Sequence, residues 1–411
     1  MPVSPELRIA SVIASFTAGG IGPVCRYAAE GMAMLTNWHV TLVSLHDPKA
    51  ESVDERTDVR VVSLGLDGNC SRRFLDWLAL NPQDILITSD VSRIEPAYRF
   101  LPPSTVHVMQ IHDSARRYRD VAVRHAAWVD GVTCVGRHIE GRLREALTKA
   151  GFRGLVRTIH NGARFPPVPL RQVNHGPLRL LYVGAVSALK GVFDFTPLLQ
   201  KLKQADVPAV LNIVGGDNSA LRREFERRGV ASMVTWTGYV PHERCYEIAA
   251  EADVFLMASR KESFGMATIE AMSMGCVPIA YDIPSGSTEI IEHEKSGMLV
   301  PLGDLRTWAG HVRAMHLDRK WLMELSAAAI VRARTCFDAE TMARNMAGFL
   351  ADVAEHSARH PSIRQPGLPP ETPKTYAATP RGYQRLPEWL REWIRNKVGA
   401  SPRLSYWLLN R

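Results

Sequence analysis

Two glutamates, Glu262 and Glu270, are separated by seven residues within the stretch SRKESFGMATIEAMSMGCVPIA. An apolar run, VFLM, precedes this stretch, and a helix is predicted to begin near Gly265. Glu262 would then lie in the loop, with Glu270 roughly a turn and a half into the helix. Two carboxylates in this arrangement suit polyol recognition, because ionised carboxylates accept strong hydrogen bonds from hydroxyls. Backbone N–H groups at the helix start suit an anion or sugar hydroxyls, and they belong to Phe264, Gly265 and Met266.

The same two glutamates also have a purely structural interpretation. The helix dipole favours acidic side chains near a helix start, and a solvated pair of glutamates there needs no ligand. The spacing alone does not distinguish a ligand site from a solvated pair of glutamates. That distinction depends on the predicted elements around the two residues and on motifs elsewhere in the chain.

Short apolar runs alternate with longer helical patterns along most of the chain, and they predict the elements that position these glutamates. In the first half the predicted strands are RIASVIA (8–14), VTLVSL (40–45), VRVVSL (59–64), DILITSD (84–90), VHVMQIHD (106–113), WVDGVTCVG (128–136) and LVRTIHNG (155–162). Several are continuous β-branched runs, which are typical of strands buried on both faces. With helical patterns at 23–34 and 136–151, the alternation predicts parallel βαβ units and an α/β fold.

A segment rich in proline and polar residues, 165–177, interrupts this pattern and is predicted to be a linker. Beyond it, strands are predicted at 178–186, 209–216, 233–240, 252–259 and 277–282, followed by a final helix within about 338–356. We therefore predict two Rossmann-like, doubly wound domains, at 1–170 and 177–355. Open sheets of this kind bind ligands at the carboxyl ends of their strands, where Glu262 and Glu270 fall.

Length and composition agree with two globular domains. The chain has 411 residues, of which 46% are hydrophobic and 22% charged, which excludes a wholly disordered, collagen-like or disulfide-scaffold protein. Its six cysteines form no CxxC pair, so we expect neither a zinc site nor a redox dithiol, and we expect a reduced, cytoplasmic setting. The N-terminal segment lacks the basic region and cleavage pattern of a signal peptide, and no apolar run is long enough for a transmembrane helix.

The formal charge of +8 favours partners that carry phosphate, but it does not choose among nucleotides, nucleic acid and an anionic membrane. Nucleic-acid binding has only this charge in its favour, so we expect no such partner. The GxxxxGK[ST] phosphate loop, the HExxH zinc motif and the GxSxG nucleophile elbow do not occur in the sequence.

The stretch ESFGMATIEAMSMGCVPIA resembles the signature of the retaining glycosyltransferases of family 4, also called glycosyl transferases group 1. That signature places a glutamate, seven residues and a second glutamate within a phrase of the form E-(G/S)-F-G-x-x-x-x-E-A-M-(A/S)-x-G-x-P-V-(I/V)-A. The match keeps order and spacing, and the resemblance extends over roughly residues 8–356. It implies the GT-B fold, in which two Rossmann-like domains face a central cleft.

The segment YVGAVSALKGV, after the first strand of the second domain, parallels the family's G-R-L-x-x-x-K-G. The resemblance implies that Gly184 and Lys190 bind the donor, with Lys190 holding the diphosphate, where a cation offsets the charge of the leaving group. The family's arginine position is Ala185 here, and we expect Arg260 or Lys261 to replace the missing cation. A surface lysine without a ligand is the alternative interpretation of Lys190.

Three further segments occur in the family's order. AGGIGPV, at 18–24, follows the first strand, and Gly20 would let the backbone approach a phosphate, although such glycine turns are common. HNGARF, at 160–165, contains the turn-forming pair Asn161–Gly162, which we interpret as structural. YDIPSGSTEIIEHEKSGMLVPLGD, at 281–304, matches a family loop near the nucleotide, and Glu289 is its candidate donor-binding residue.

His112 ends the predicted strand VHVMQIHD and matches a histidine that faces the transferred sugar in the family. Asp113 follows it and could orient the imidazole. A structural histidine is the alternative for this position, as it is for His138 and His160. Arg116 and Arg117 are candidates to face an acidic acceptor or merely to be solvated.

The resemblance implies a retaining transferase that moves a sugar from a nucleotide diphosphate sugar to an acceptor hydroxyl, without a cofactor or essential metal. Its predicted catalytic residues are Glu262, His112 and Lys190. The leading acceptor class is a lipid-linked saccharide of an envelope polysaccharide or glycolipid. Two alternatives remain: a nucleotide-sugar epimerase or phosphorylase with the same architecture, and an inactive binding subunit, which Ala185 favours.

The C-terminal region differs in composition from both domains. A proline-rich linker is predicted at 356–382, and an amphipathic helical tail at 383–411 carries three of the nine tryptophans with several arginines. Such a tail either packs on protein, including a second subunit as in a homodimer, or lies on an anionic membrane. A cytoplasmic enzyme, with possible peripheral attachment to the inner face of the membrane, is therefore expected.

Overall fold

The computed structural model describes residues 6–17, 20–67, 70–168 and 175–360. These residues form two units, each built around its own sheet. The first unit ends at Arg164 and resumes at Phe337, and the second unit spans Phe165–Cys336. The division falls at the edge of the linker predicted from the proline-rich segment.

The sheet of the first unit has eight strands: β1 (Arg8–Ile13), β2 (His39–Ser44), β3 (Ala50–Val53), β4 (Arg60–Ser63), β5 (Ile85–Ser89), β6 (Val106–Ile111), β7 (Gly131–Cys134) and β8 (Leu155–Thr158). Their order is β3-β4-β2-β1-β5-β6-β7-β8, and all neighbours are parallel except β3 and β4. Helices on this part of the chain are α1 (Ile21–Leu35), α2 (Cys70–Leu80), α3 (Arg116–Arg124) and α4 (Arg137–Lys149). The sequence did not predict β3, because its AESV segment is exposed and lacks an apolar pattern.

The sheet of the second unit has six parallel strands: β9 (Leu178–Val183), β10 (Ala209–Val214), β11 (Val234–Gly238), β12 (Val254–Met257), β13 (Val277–Asp282) and β14 (Met298–Pro301). Its helices are α5 (Phe195–Gln204), α6 (Ser219–Arg227), α7 (His242–Glu251), α8 (Met266–Ser273), α9 (Ser287–Ile290), α10 (Leu305–Leu317) and α11 (Arg319–Cys336). The strand order β11-β10-β9-β12-β13-β14 is that of a Rossmann sheet. Apart from β14, these strands were predicted.

Strand order reverses once in each sheet, and this reversal positions the candidate residues. In the second unit, β9 lies between β10 and β12, so successive connections run to opposite sides and leave a crevice at the carboxyl ends of β9 and β12. Lys190 follows β9 and Glu262 follows β12. In the first unit, β1 lies between β2 and β5 in the same way.

The last helix of the described chain, α12 (Ala339–Arg359), packs in the first unit. A Cβ added to Gly31 of α1 would overlap the Cβ of Ala343, and one added to Gly131 would lie 2.8 Å from a methyl group of Val353. The prediction that the second domain extends to residue 355 is therefore corrected. Periodicity predicts the buried stripe of this helix, but it cannot tell which sheet the stripe covers.

The linker predicted to begin at 356 is also corrected, because α12 continues to Arg359. The structure shows no turn at Asn161–Gly162, where the sequence predicts one. The pair lies beside the returning chain: a Cβ added to Gly162 would overlap the Asp338 backbone, and Ala163 donates a backbone hydrogen bond to Phe337 and accepts one from Ala339, both 3.0 Å long. This agrees with the structural interpretation of the pair. The remaining predicted linker and the amphipathic tail lie outside the described residues.

Close contact between α1 and α12 makes Gly31 a sensitive position for stability. Replacing Gly31 with leucine forces α1 away from Ala343, and we expect a loss of about 2 kcal/mol or more, measured by urea denaturation. Gly141→Leu is the matched control, because a Cβ at this exposed position of α4 meets nothing within 4 Å. The control should be neutral or stabilising, since leucine favours the helix over glycine. Equal effects of the two substitutions would contradict the packing of α12 on α1.

In the described part of the chain, no helix combines the length and the apolar character needed to cross a membrane.

Candidate functional site

An ion pair joins the two loops that follow β9 and β12. Lys190 ends a single 3-10 turn, Ala188–Lys190, and its Nζ lies 2.7 Å from Oε2 of Glu262. The Ser259 hydroxyl lies 3.4 Å from the same oxygen. The Glu262 side chain is 15% exposed and that of Lys190 is 32% exposed. The structure thus brings two of the predicted catalytic residues together at the crevice of the second sheet, with both still open to solvent.

Helix α8 begins directly after this pair, as predicted. Gly265 has a φ of +113°, a backbone conformation that an L side chain rarely adopts, and its carbonyl accepts the N–H of Thr268 at 2.9 Å. Phe264 is buried and Met266 is the first helical residue. The chain therefore turns sharply between Glu262 and the helix. Anion binding by the N–H groups of this turn stays a prediction.

Glu270 lies in the second turn of α8 and has its own hydrogen-bonding partner, His242. Its Oε1 is 3.0 Å from Nε2 of His242, the first residue of α7, and the imidazole packs on the ring of Tyr246. The hydrogen bond and the negative charge of Glu270 raise the pKa of His242. Sequence reasoning missed His242, because only the packing of α7 on α8 brings it to Glu270.

Gly184 and Ala185 lie directly beyond β9. The Gly184 N–H donates to the carbonyl of Val214 at 3.0 Å, and the Ala185 carbonyl accepts the hydroxyl of Tyr182 at 2.7 Å. The Ala185 position is exposed and supplies no cation. Gly184 thus continues the edge of the sheet toward Lys190, whereas contact with a donor stays a prediction.

Arg260 is fully buried, and its Nη2 donates to both carboxylate oxygens of Asp194, at 2.8 and 2.9 Å. The predictions that Arg260 binds the donor and replaces the missing cation at Ala185 are therefore corrected. The sequence places Arg260 two residues before Glu262, but it does not show that the side chain points into the core. Lys261 is partly exposed beside it.

The loop after β13 packs on the Glu262 loop. A Cβ added to Gly286 would overlap the backbone of Phe264, and Ile290 Cδ1 would lie 3.6 Å from a Cβ at Gly265. Glu289 lies in the short helix α9 of this loop and is partly exposed. The structure thus brings the segment that contains Glu289 to the same edge as Glu262, while its donor contact stays a prediction.

His112 follows β6 in the first unit and is buried. Its backbone N–H donates to Oδ2 of Asp90 at 3.1 Å, and its Nε2 lies 3.8 Å from the Cys25 sulfur. Burial lowers the pKa of His112 to about 4, so the imidazole is neutral at pH 7. Asp113, predicted to orient this ring, accepts a hydrogen bond from the Ala115 N–H at 2.8 Å.

Two arginines of the helix that follows His112 are paired on its surface. Arg116 forms an exposed ion pair with Asp120, and Arg117 donates to the hydroxyl of its neighbour Tyr118. These contacts agree with the interpretation of solvated helix residues, and an acidic acceptor for them stays a prediction.

Asp90, at the end of β5, is a candidate that sequence reasoning missed. It has a φ of +53°, and its Oδ1 is inaccessible to water and without a hydrogen-bond partner among the described residues. Desolvation raises the pKa of Asp90 to about 8, with a smaller contribution from the charge of Asp113. The carboxyl group is therefore protonated at neutral pH. Its position at the end of DILITSD was visible in the sequence, but its enclosure next to His112 was not.

The raised pKa of Asp90 predicts a specific dependence of stability on pH. An unfolded aspartate ionises near pH 4, so the folded state binds more protons between there and about pH 8, and stability falls as pH rises through that window. Asp90→Asn removes this titration and keeps an acceptor for the His112 N–H. Relative to wild type, we expect the variant to gain at least about 1 kcal/mol of unfolding free energy between about pH 5 and about pH 9.

Denaturation at the two pH values measures this difference, and the opposite titration of His112 cancels because both proteins contain it. Asp58→Asn is the matched control, because Asp58 has a similar φ of +57° but is exposed. Its difference from wild type should stay constant. A constant difference for Asp90→Asn as well would show that Asp90 is ionised throughout.

Gly20 is exposed, has a φ of −82°, and would meet nothing within 4 Å if it had a Cβ. Ala18 and Gly19 lie outside the described residues. Pro23 is in the first turn of α1, where proline is well tolerated. The structure therefore gives no steric reason for glycine at position 20, and its approach to a phosphate stays a prediction.

Across the described ranges, no group of three or more His, Cys, Asp or Glu side chains is arranged to hold a metal ion.

The match to a known protein family falls within the second unit. Residues 171–334 match the model of the family described as glycosyl transferases group 1. Among curated proteins, the chain is 34% identical over 160 residues to D-inositol 3-phosphate glycosyltransferase of Jonesia denitrificans, covering 36% of this chain and 37% of that protein. It is 26% identical over 343 residues to glycogen synthase of Mycobacterium tuberculosis, covering 76% of each chain.

A third relative is the amylovoran biosynthesis glycosyltransferase AmsK of Erwinia amylovora, at 30% identity over 45% of this chain and 47% of that protein. The chain thus aligns with less than half of the length of the first and third of these relatives.

Solved structures define the fold over most of the chain. Sucrose-phosphate synthase from Thermosynechococcus elongatus superposes with a TM-score of 0.70 at 20% identity, covering 85% of this chain and 99% of that one. Anabaena Alr3699/HepE in complex with UDP-glucose superposes with a TM-score of 0.63 at 17% identity, covering 84% and 100%. The chain has the GT-B fold, with two parallel-sheet α/β domains, which confirms the predicted fold class.

Proposed function

We propose that this protein is a retaining glycosyltransferase of family 4, which moves a hexosyl group from a nucleotide diphosphate sugar to an acceptor hydroxyl. The observation that carries the proposal is the Lys190–Glu262 ion pair at the crevice of the second sheet. The family match at 171–334 spans both residues, and both loops meet where Rossmann sheets bind nucleotides.

The Lys190–Glu262 pair and the His242–Glu270 pair have different roles in this proposal. Glu270, steadied by His242, accepts hydrogen bonds from the ribose hydroxyls of the donor. Glu262, with the N–H groups at the start of α8, binds hydroxyls of the sugar, and Glu289 and Gly184 line the same edge. Lys190 is released in part from Glu262 when the diphosphate arrives, and its ammonium group offsets the charge that grows on the leaving phosphate.

The transfer step itself forms one bond and breaks one. The bond from the anomeric carbon to the phosphate oxygen breaks, the acceptor oxygen bonds to that carbon on the same face, and the acceptor's proton passes to the departing phosphate oxygen. His112 binds the sugar, and a neutral imidazole suits this role because an imidazolium would repel the positive charge near the anomeric carbon. No cofactor or metal takes part in this scheme.

The acceptor class we propose is a lipid-linked saccharide of envelope polysaccharide or glycolipid synthesis, at the cytoplasmic face of a membrane. It is supported by the similarity to a relative named for amylovoran biosynthesis. Binding to liposomes with anionic lipid, with and without residues 383–411, separates a tail that docks on the membrane from one that packs on protein. Equal binding by both forms would show that residues 383–411 do not contribute to membrane binding.

A binding subunit without activity is the second candidate, because Ala185 supplies no cation and Arg260 is buried. Incubation of the protein with UDP-, GDP- and ADP-sugars, followed by an assay of nucleotide release with and without a saccharide acceptor, tests both. Acceptor-dependent release supports the transferase. Nucleotide binding without release supports the binding subunit, and a free epimer without acceptor supports an epimerase. No nucleotide binding by calorimetry would overturn both the transferase and the epimerase.

A further inference from the structure

A buried cluster of Asp194, Arg260 and Tyr281, here called the Asp194 cluster, includes residues of both segments that carry the Lys190–Glu262 pair. Besides the two bonds from Arg260, Asp194 accepts the hydroxyl of Tyr281 at 2.6 Å. Arg260 is 0% exposed, Tyr281 1% and Asp194 6%. The three side chains come from three different parts of the second unit: the turn before α5, the segment after β12, and β13.

Arg260 belongs to the loop after β12 and Asp194 to the segment after β9, so the cluster joins the two loops that hold the ion pair. The backbone N–H of Arg260 donates to the Leu189 carbonyl of the other loop at 3.1 Å, and the backbone N–H of Asp194 donates to the Gly191 carbonyl at 3.0 Å. Lys190 lies between these two bonded residues. Gly191 has a φ of +71°, and a Cβ there would lie 2.5 Å from Nη1 of Arg260. The backbone next to Lys190 therefore packs directly against the guanidinium of Arg260.

The free energy of unfolding gains little from this cluster, so stability alone does not explain it. Nε and Nη1 of Arg260 have no hydrogen-bond partner among the described residues, so part of a buried charge is unsatisfied. Taking an arginine and a carboxylate out of water costs several kcal/mol, which their attraction offsets only with full hydrogen bonding. Apolar residues of similar volume at such sites are often neutral or stabilising. A role in the placement of the loops explains the cluster better.

We infer that the Asp194 cluster positions Lys190 and Glu262. It holds the loops after β9 and β12 in the relative position at which Nζ of Lys190 contacts Oε2 of Glu262. Asp194, Arg260 and Tyr281 are thus positioning residues that touch no ligand themselves. The inference rests on the proposed function, since it assigns the cluster to the diphosphate-binding lysine. Without the cluster, the loops still fold on the sheet, but Lys190 no longer has one fixed position.

The test is a triple substitution, Asp194→Leu with Arg260→Met and Tyr281→Phe, which leaves neither a buried charge nor the buried Tyr281 hydroxyl unpaired. Calorimetry with UDP, GDP and ADP measures nucleotide affinity in wild type, in the triple variant, and in both with Lys190→Met added. We expect the triple variant to keep its Tm within a few degrees and to bind the preferred nucleotide about tenfold more weakly. Lys190→Met should weaken wild type by a similar factor and have little further effect in the triple variant.

Arg179 and Asp253 provide a matched control, since they form an Arg–Asp pair with a 2.9 Å contact at the opposite, amino ends of β9 and β12. Arg179→Met with Asp253→Leu should leave nucleotide affinity unchanged. Additive effects of Lys190→Met and the triple variant, or wild-type affinity in the triple variant, would overturn the inference while leaving the proposed function intact. If wild type binds none of the three nucleotides, both fail.

Discussion

Glu262→Ala is expected to lower acceptor-dependent nucleotide release by about a thousandfold or more, with a Tm close to that of wild type. The Glu262 carboxylate lies at the sheet edge, 15% exposed, and pairs with Lys190 at 2.7 Å. The large loss follows because the proposed function assigns this carboxylate to the transferred sugar. Stability changes little because the partner left behind is partly exposed, and water can solvate its ammonium group. Activity and stability should therefore separate.

The measurement is the rate of release with the sugar nucleotide that wild type uses, together with the thermal unfolding curve of each protein. Glu292→Ala is the matched control, since Glu292 belongs to the same unit and forms a half-exposed ion pair with Arg332. The control should keep full activity. A large fall in Tm for Glu262→Ala, with activity lost only in proportion, would indicate that Glu262 is a structural helix-start residue.

Lys190→Met is expected to weaken binding of the nucleoside diphosphate about tenfold and to lower the single-turnover rate at saturating donor about a hundredfold. Its ammonium group is a cation at the crevice edge of the second sheet, and the exposed Ala185 supplies none. Its effect should be greater on the step in which the phosphate leaves than on binding, because charge grows on that phosphate during the reaction.

Calorimetry and single-turnover rates separate these two effects. Lys203→Met is the control, because Lys203 is an exposed lysine of α5 that donates to the Gly229 carbonyl. Its affinity and rate should match those of wild type. A tenfold loss of affinity with an unchanged single-turnover rate at saturating donor would show that Lys190 binds the diphosphate without assisting its departure.

The fold was predictable because strands buried on both faces have a strong apolar signal. The start of α8 at Gly265 and the position of Glu270 in its second turn also followed from local sequence. Features that depend on tertiary packing did not. The amphipathic stripe of α12 is clear, yet its placement in the first unit depends on small residues such as Gly31 and Gly131, which are far away in sequence.

The direction in which each side chain points also depends on tertiary packing, and this limited the prediction of the candidate site. Arg260 and Glu262 are two residues apart, and one is buried against Asp194 while the other faces the crevice edge. His242 reaches Glu270 only through the contact of two helices, and the sequence does not show that Oδ1 of Asp90 is inaccessible to water and without a hydrogen-bond partner among the described residues. Residue type and spacing predicted which loops hold the chemistry, whereas burial decided which of their side chains are available.

A crystal structure with the nucleoside diphosphate that binds most tightly tests the central claim most directly. The proposal predicts a diphosphate oxygen within hydrogen-bond distance of Nζ of Lys190, and ribose hydroxyls on the carboxylate of Glu270. The same crystal should show Arg260 still bonded to Asp194. A nucleotide bound away from the carboxyl ends of β9 and β12, with the Lys190–Glu262 pair untouched, would contradict the account.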